Sequence, residues 1–135
     1  MKINRIDHIA IATNDAAELK FLYHDILGLN YLGQETVESE KVETSFYDVS
    51  ESKLEFLEPT SPESTVAKYL NKRGPGLHHI ALNVEDLDGY LVKLKENQIQ
   101  LINDEPILGA HHKRIIFIHP KATGGVLIEL CEDKK

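Results

Sequence analysis

The sequence contains no tryptophan, one cysteine and one methionine in 135 residues. A single cysteine, Cys131, excludes a disulfide within the chain and a cysteine-rich zinc site, and we interpret it as a small strand residue. No apolar run is long enough to span a bilayer, and no signal peptide opens the chain. We therefore expect a cytoplasmic protein without a membrane partner, although a processed organellar protein would have the same composition.

The chain has fewer basic than acidic residues, with 15 Lys and Arg and 22 Asp and Glu. Its formal net charge is therefore −7. Nucleic-acid affinity comes chiefly from basic residues that neutralise phosphates, so this balance argues against a nucleic-acid partner. A phosphorylated small molecule stays open, since it needs only a local cluster of positive charge. The length suits one domain, and each half alone would bury too little surface to be stable.

The chain contains an internal repeat. RIDHIAIATND (Arg5–Asp15) and GLHHIALNVED (Gly76–Asp86) superpose with one constant offset and no gap, which places His8 on His79. An aspartate suited to cap a helix closes each copy, and an amphipathic segment follows it. The two halves of the chain are therefore expected to have the same structure.

Each half also ends on an apolar strand with a glutamate at its centre, in KLEFLEP and GVLIELCE. His8 precedes Glu55 by 47 residues, and His79 precedes Glu129 by 50. A histidine at a strand start is commonly a core residue, but a glutamate inside an apolar strand requires a partner such as a cation. The repeated spacing favours a site built from all four residues.

Periodicity predicts a β-α-β-β-β order in each half. Module one covers about residues 3–59, a linker helix about 61–73, and module two about 76–132. The predicted strands are about 3–12, 31–37, 42–49, 53–57, 79–84, 99–102, 115–119 and 125–130, with a long loop at 105–113 and a turn at 120–124. Helices are predicted from Asp15 to Gly28 and from Asp86 to Asn97.

These elements predict an α+β fold, in which two tandem βαβββ modules form one curved eight-stranded mixed sheet around a metal cleft, with the helices outside. Strand-centre residues of both halves would then face one cleft. Two imidazoles and two carboxylates suit a borderline divalent ion such as Co²⁺, Ni²⁺, Zn²⁺, Mn²⁺ or Fe²⁺, and the carboxylates balance its charge.

The motifs resemble a known family. HIAIA, LEFLEP followed by TSPES and TVAKYL, GLHHIALNVED and HPKATGGVLIEL are together similar to methylmalonyl-CoA epimerases, of the vicinal-oxygen-chelate (glyoxalase) superfamily. The likeness runs from about Asn4 to Glu132. It implies interconversion of (2R)- and (2S)-methylmalonyl-CoA by removal and return of the C2 proton, with a metal-stabilised enolate. It also implies an acyl-CoA substrate, a homodimer and a metal held by His8, Glu55, His79 and Glu129.

We expect one divalent ion per chain, Co²⁺ in first place and Ni²⁺, Mn²⁺ or Zn²⁺ as alternatives. The family's proposed catalytic glutamate aligns with Thr44, and Glu43 lies one residue away, on the opposite face of a strand. Either a local bulge brings Glu43 to the site, or another group serves, such as a metal-bound water or a loop residue. The family's Gly-Gly pair is replaced here by His111 and His112.

Coenzyme A carries phosphates, so local cations are needed to bind it. Lys121 in the HPK segment is the substrate-binding candidate, and the other basic residues considered are Lys72, Arg73, Lys113 and Arg114. Each of them is equally well explained as a solvated surface residue.

Two other functions remain open. The chain is alternatively a different enzyme of the same fold, either a glyoxalase-like isomerase or a ring-cleaving dioxygenase, although the latter usually has two histidines and one carboxylate. The second alternative is a metal-free small-molecule binding or resistance protein. Four intact ligand positions disfavour it, and an activity sensitive to chelators would exclude it.

Overall fold

The computed structural model describes residues 1–133, in two compact units: residues 8–78, and residues 1–7 together with residue 79 onward. The strands are β1 Lys2–Ala12, β2 Asn30–Val37, β3 Val42–Val49, β4 Ser52–Pro59, β5 Gly76–Glu85, β6 Ile107–Leu108, β7 Arg114–Ile118 and β8 Leu127–Glu132. The α-helices are α1 Ala16–Lys20, α2 Thr65–Arg73, α3 Leu87–Glu96 and α4 Pro120–Thr123. Within the described residues, every helix is too short or too polar to cross a membrane.

The strands form one mixed sheet, in the hydrogen-bonded order β2-β3-β4-β1-β5-β8-β7-β6. In the first module β1 is parallel to β4, and β3 is antiparallel to both β2 and β4. In the second module β5 is parallel to β8, and β7 is antiparallel to both β6 and β8. The predicted α+β fold with two βαβββ modules in an eight-stranded mixed sheet is therefore confirmed.

Residues 8–78 have an aromatic core between the sheet and α1. Tyr47 of β3 and Phe56 of β4 are almost fully buried and pack with Ala16 of α1. Tyr23 contributes a third ring, 4.8 Å from Phe56 and 5.9 Å from Tyr47 between centroids. The period of two along β3 places Tyr47 and the other odd-numbered side chains on the face of the sheet that carries this core, and the even-numbered ones on the opposite face.

The second unit has an aliphatic core. Leu87 and Leu91 of α3 pack on Val84 of β5, Ile116 of β7 and Leu130 of β8. The residues alternate along each strand, so that the other face of β5 presents His79 and Ala81. Each unit thus buries one face of its sheet under a helix and keeps the opposite face for the histidine and the glutamate.

Aspartate caps begin the first helix of each module, as the repeat predicts. Asp15 Oδ1 accepts a hydrogen bond from the backbone N–H of Glu18 at 3.2 Å, and Asp86 Oδ1 accepts one from that of Gly89 at 3.0 Å. After α1 the chain continues as a π-helix, Phe21–Ile26, which the sequence pattern did not predict. Gly28 follows with a φ of 78°, the left-handed conformation that commonly ends a helix, which agrees with the predicted end at this residue.

The predicted strand at 99–102 is wrong. Only one bridge forms there, between Leu101 and Ile118, and the edge strand β6 lies within the predicted loop. The cause is Asn103, whose side-chain oxygen accepts from Phe117 N–H at 2.8 Å and whose amide donates to the Ile115 carbonyl at 3.2 Å. This side chain occupies the edge of β7 where a longer strand would have paired.

Two helix boundaries also differ from the predictions. The linker helix α2 begins after Ser64, whose hydroxyl accepts from Val66 N–H at 3.0 Å, and not at Ser61. The segment predicted as a turn at 120–124 contains the short helix α4, capped by His119 and begun by Pro120. Pro120 suits this first position because its missing N–H would have no helical partner there.

Gly89→Ala tests the cap of α3. Helix propensity alone predicts stabilisation by about 1 kcal/mol. A Cβ at Gly89 would overlap the Asp86 carboxylate that caps the helix, so we expect destabilisation by about 1–2 kcal/mol instead. Urea unfolding of the variant and of the original chain measures the difference.

The control is the same substitution in an Asp86→Ala chain, where the carboxylate is absent. There Gly89→Ala should recover its stabilising effect. Equal effects in the two backgrounds would contradict the proposed overlap with the cap.

Candidate metal centre and its surroundings

The first His–Glu pair lies on neighbouring parallel strands, β1 and β4. Ala10 is opposite Glu55 in the register, so His8, two residues earlier on β1, shares the face of Glu55. His8 Nδ1 lies 3.1 Å from Glu55 Oε2, and both side chains are buried. Ala10 is fully buried beside them, and its small side chain leaves room for the pair.

The second pair repeats this arrangement on β5 and β8. Ala81 is opposite Glu129, and His79 precedes Ala81 by two residues. His79 Nε2 lies 3.3 Å from Glu129 Oε1, and both side chains are again buried. The two modules therefore place a histidine and a glutamate in the same arrangement, as the sequence repeat predicts. The contact is made by Nδ1 in His8 and by Nε2 in His79.

A phenylalanine accompanies each glutamate. Phe46 of β3 is opposite Glu55, and Phe117 of β7 is opposite Glu129. The Phe117 ring meets the His79 ring edge-on, with 5.5 Å between centroids. Sequence reasoning missed both phenylalanines, although they are separated by the same offset as the two histidines. They make the surroundings of each carboxylate apolar, which strengthens electrostatic interactions there.

The donor distances are compatible with a metal ion. At metal–donor distances of about 2.1 Å, two donors on one ion lie about 3.0 Å apart at a right angle and about 3.4 Å apart at a tetrahedral angle. The nitrogen–oxygen distances of 3.1 and 3.3 Å fall within this range. Each pair can therefore provide two donors to one ion without rearrangement.

The structure separates Glu43 from Glu55. The pairing of β3 with β4 continues without a bulge from Val42 to Val49, and Glu43 is opposite Glu58. Thr44 and Phe46 lie on the face of Glu55, whereas Glu43 lies on the face towards α1. The bulge that would bring Glu43 to the His–Glu face is absent from this ladder, so the catalytic role of Glu43 stays a prediction that the register disfavours.

A partly buried ionic network surrounds Asp7. Lys113 Nζ is 2.7 Å from Asp7 Oδ2 and 3.4 Å from Asp133 Oδ1. Asn83 of β5 donates from its amide to both aspartates, at 3.3 and 3.2 Å. Burial alone would lower the pKa of Lys113, but the hydrogen bond and the charge of Asp7, with Asp133 nearby, raise it.

Lys113 and Arg114 are thus engaged with carboxylates. Arg114 Nη2 lies 2.8 Å from Asp88 Oδ1, and Arg114 Nη1 lies 3.5 Å from Glu132 Oε2. The hydrogen bond that Arg114 donates lowers the pKa of Asp88. These contacts disfavour both basic residues as phosphate ligands. Lys121, on α4, is exposed and forms no ion pair within residues 1–133, so its charge is available.

His78, His111 and His112 lie outside the two His–Glu pairs. The ring of His78 packs edge-on against Tyr69 of α2, with 5.1 Å between centroids. His111 and His112 are exposed in a short 3₁₀ turn, and both have left-handed backbones, with φ of 59° and 58°. Such backbones are uncommon for residues other than glycine.

Cys131 is fully buried on β8, as a small strand residue should be. Burial raises the pKa of its thiol, and the charges of Asp7 and Glu129 raise it further. The thiol therefore stays protonated at neutral pH, which makes it a poor metal ligand and a poor nucleophile.

Comparison with known proteins gives consistent results. Residues 7–117 match the Glyoxalase/Bleomycin resistance protein/Dioxygenase superfamily. A Bacillus subtilis protein named "Uncharacterized protein YqjC" is 45% identical over 132 residues, which cover 98% of this chain and 94% of that protein. The solved structure of methylmalonyl-CoA epimerase from Mycobacterium tuberculosis is 34% identical, with a TM-score of 0.93, and the alignment covers 98% and 90% of the two chains.

A further solved structure, described as methylmalonyl-CoA epimerase in complex with methylmalonyl-CoA and NH4+, is 36% identical. Its TM-score is 0.90, and the alignment covers 98% of this chain and 96% of that one. The similarity in sequence and in fold therefore extends over nearly the whole chain.

Glu129→Gln should abolish tight binding of a divalent ion, because it keeps the shape of the side chain but removes its charge. Elemental analysis after loading with Co²⁺ and desalting measures the metal content per chain. The matched control is Glu85→Gln on the exposed end of β5, which should retain full metal content. Equal metal content in the two variants would remove Glu129 from the site.

Lys113→Met should lower the free energy of unfolding by about 3 kcal/mol, since it leaves Asp7 buried without its closest cation. The folded-state pKa of Lys113 is above its ordinary value, so this stabilisation is complete at neutral pH and is lost only as the pH rises through that raised pKa. Urea unfolding at neutral pH measures the effect. Arg114→Met, at an exposed ion pair, is the control and should cost about 1 kcal/mol or less.

Proposed function

Because the chain belongs to the Glyoxalase/Bleomycin resistance protein/Dioxygenase superfamily and is similar over nearly its whole length to methylmalonyl-CoA epimerases, we propose that it is a metal-dependent methylmalonyl-CoA epimerase. The reaction removes the C2 proton of (2R)- or (2S)-methylmalonyl-CoA and returns a proton to the opposite face. The observation that carries the proposal is the pair of buried His–Glu contacts at equivalent positions of the two modules.

We propose that these four residues, His8, Glu55, His79 and Glu129, hold one divalent ion per chain. Neutral imidazoles and ionised carboxylates together suit a borderline ion and balance its charge, with Co²⁺ in first place and Ni²⁺, Mn²⁺ or Zn²⁺ as alternatives. A bound divalent ion would supply Lewis-acid stabilisation for the negative charge that develops on the thioester oxygen as the enolate forms.

The side chains next to each His–Glu pair are small or apolar. The alanine and phenylalanine beside each glutamate limit the water that reaches the carboxylates. Ala10 and Ala81 are fully buried, and Phe46 is nearly so. An apolar lining favours proton removal at carbon, because the charges that stabilise the enolate are then less screened.

Inversion at C2 also requires an acid and a base on opposite faces of the substrate, because one group would mostly return the proton to the face it left. Thr44 lies on the His–Glu face at the position where the family has a glutamate, but a hydroxyl is not a base at neutral pH. Glu43 would reach that face only if β3 shifted by one residue, which would also turn the buried Tyr47 outwards. The geometry therefore favours a different group over Glu43.

For the coenzyme A part of the substrate we propose Lys121 as a phosphate contact, since its ammonium group is exposed and forms no ion pair within the described residues. We further propose a cytoplasmic homodimer. The support for association is a row of exposed apolar side chains on the π-helix and the residue after it, namely Phe21, Ile26 and Leu27, which are 65%, 60% and 58% exposed. Clusters of this kind commonly mark protein interfaces.

The test is proton NMR of methylmalonyl-CoA in D₂O with Co²⁺-loaded protein and with a chelator-stripped sample. We expect metal-dependent loss of the C2 proton signal and collapse of the methyl doublet, and a coupled assay should detect inversion. Glu129→Gln should slow the exchange at least about 100-fold, because losing the ion removes several kcal/mol of stabilisation.

Glu85→Gln is again the control and should exchange at the original rate. A folded, metal-loaded sample that leaves the C2 proton in place would refute the proposed substrate while retaining the metal centre. Glyoxalase-type thiohemiacetals would then be the next substrates to test. Exchange that survives complete removal of metal would refute the metal dependence.

A further inference from the structure

A cavity lies within residues 8–78, between the sheet and α1. Its volume is about 270 Å³. Three carboxylates, from Asp15, Glu43 and Glu58, contribute to its walls. The register places Glu43 and Glu58 directly opposite each other on β3 and β4, on the other face of these strands from Glu55. This cavity is therefore distinct from the His–Glu pair of the same unit.

Two buried hydroxyl groups also open into the cavity. Ser45 is 4% exposed and Tyr47 is 1% exposed, and neither hydroxyl has a hydrogen-bond partner among the described residues. Every fully enclosed side-chain nitrogen or oxygen in residues 1–133 does have a partner. Both hydroxyls must therefore reach the cavity itself, since buried polar groups are otherwise satisfied within the protein.

The carboxylates retain capacity to bind a ligand. Glu58 Oε1 accepts from the backbone N–H of Ala16 at 2.8 Å, and Asp15 Oδ1 accepts from that of Glu18, which leaves one oxygen on each carboxylate. The Glu43 carboxylate has no hydrogen-bond partner in the described part of the chain. The one basic group on the walls, Lys20, stands over the Tyr31 ring at 4.4 Å, so negative charge predominates in the cavity.

The size and spacing of these groups indicate the class of ligand. Within residues 1–133, the three carboxylates are not among the groups whose donor atoms lie close enough together to enclose one metal ion. The volume corresponds to about nine water molecules, at the small end of ligand pockets. Both observations favour a small molecule with separated polar groups over a single ion.

We propose that this cavity binds a small organic cation, in which an ammonium or guanidinium group contacts the carboxylates of Glu43 and Glu58 and a second polar group contacts the hydroxyls of Ser45 and Tyr47. Burial, with contributions from Tyr31, Asp25 and Tyr23, raises the pKa of Tyr47, so its hydroxyl stays protonated and can donate as well as accept. This site does not depend on the proposed epimerase activity.

The test is a titration of the full chain with 1,4-diaminobutane, followed by the amide NMR signals of residues that line the cavity. We expect saturable shifts of these signals and little response to the neutral 1,4-butanediol. Ser45→Ala and Tyr47→Phe should each weaken diamine binding at least about fivefold, because each removes one hydrogen bond to the ligand. Tyr90→Phe, in the other unit, is the matched control and should bind the diamine as the original chain does.

Both hydroxyl variants should keep the melting temperature of the unliganded protein, since neither hydroxyl has a partner to lose. A large drop in melting temperature would show that the hydroxyls are structural and would overturn the proposal. It would also be overturned by unsaturable shifts, by equal binding of the diol, or by equal binding to Tyr47→Phe. Tighter saturation of the same signals by Mg²⁺ would replace the organic cation with a metal ion.

Discussion

The burial of two carboxylates inside apolar strands is the constraint on which this structure depends. Glu55 and Glu129 are each flanked by apolar residues on their own strand and by a phenylalanine on the next. Burying an unpartnered carboxylate costs several kcal/mol, so each one needs a compensating neighbour. In each unit a histidine on the adjacent parallel strand fills that role, and this explains why the same spacing occurs twice.

The parallel pairing of the strands makes that neighbour available. A histidine two residues before the alanine opposite each glutamate falls on the same face as the carboxylate. An alanine between them is small enough to leave the two side chains in contact. The face under the helices is filled instead with aromatic residues in one unit and aliphatic residues in the other. Alternation along the strands thus places the His–Glu pairs on one face of the sheet and the hydrophobic cores on the other.

The same alternation explains the position of the cavity beside α1. Among the odd-numbered positions of β3, Glu43, Ser45 and Tyr47 face α1 and line this cavity. The helix is only five residues long before it widens into a π-helix, and the cavity lies beside its first turns. The polar groups of this face lie at its edge, and the aromatic core fills the rest.

The sequence determined the repeat, the order of the elements and the aspartate caps, because hydrophobic periodicity and capping are local properties of the chain. It also determined which histidines and glutamates are candidates for a site, since a glutamate in an apolar strand is conspicuous without any structure. Local sequence patterns could not predict the edge strand β6, because the side chain of Asn103 bonds to β7 and displaces the strand expected at 99–102. They could not predict the partners of Lys113 either, since Asp7 lies 106 residues away in the chain. Only the tertiary structure decided that β3 has no bulge against β4 to turn Glu43 towards Glu55, because strand register is set by pairing with another strand and not by the residue's own neighbours.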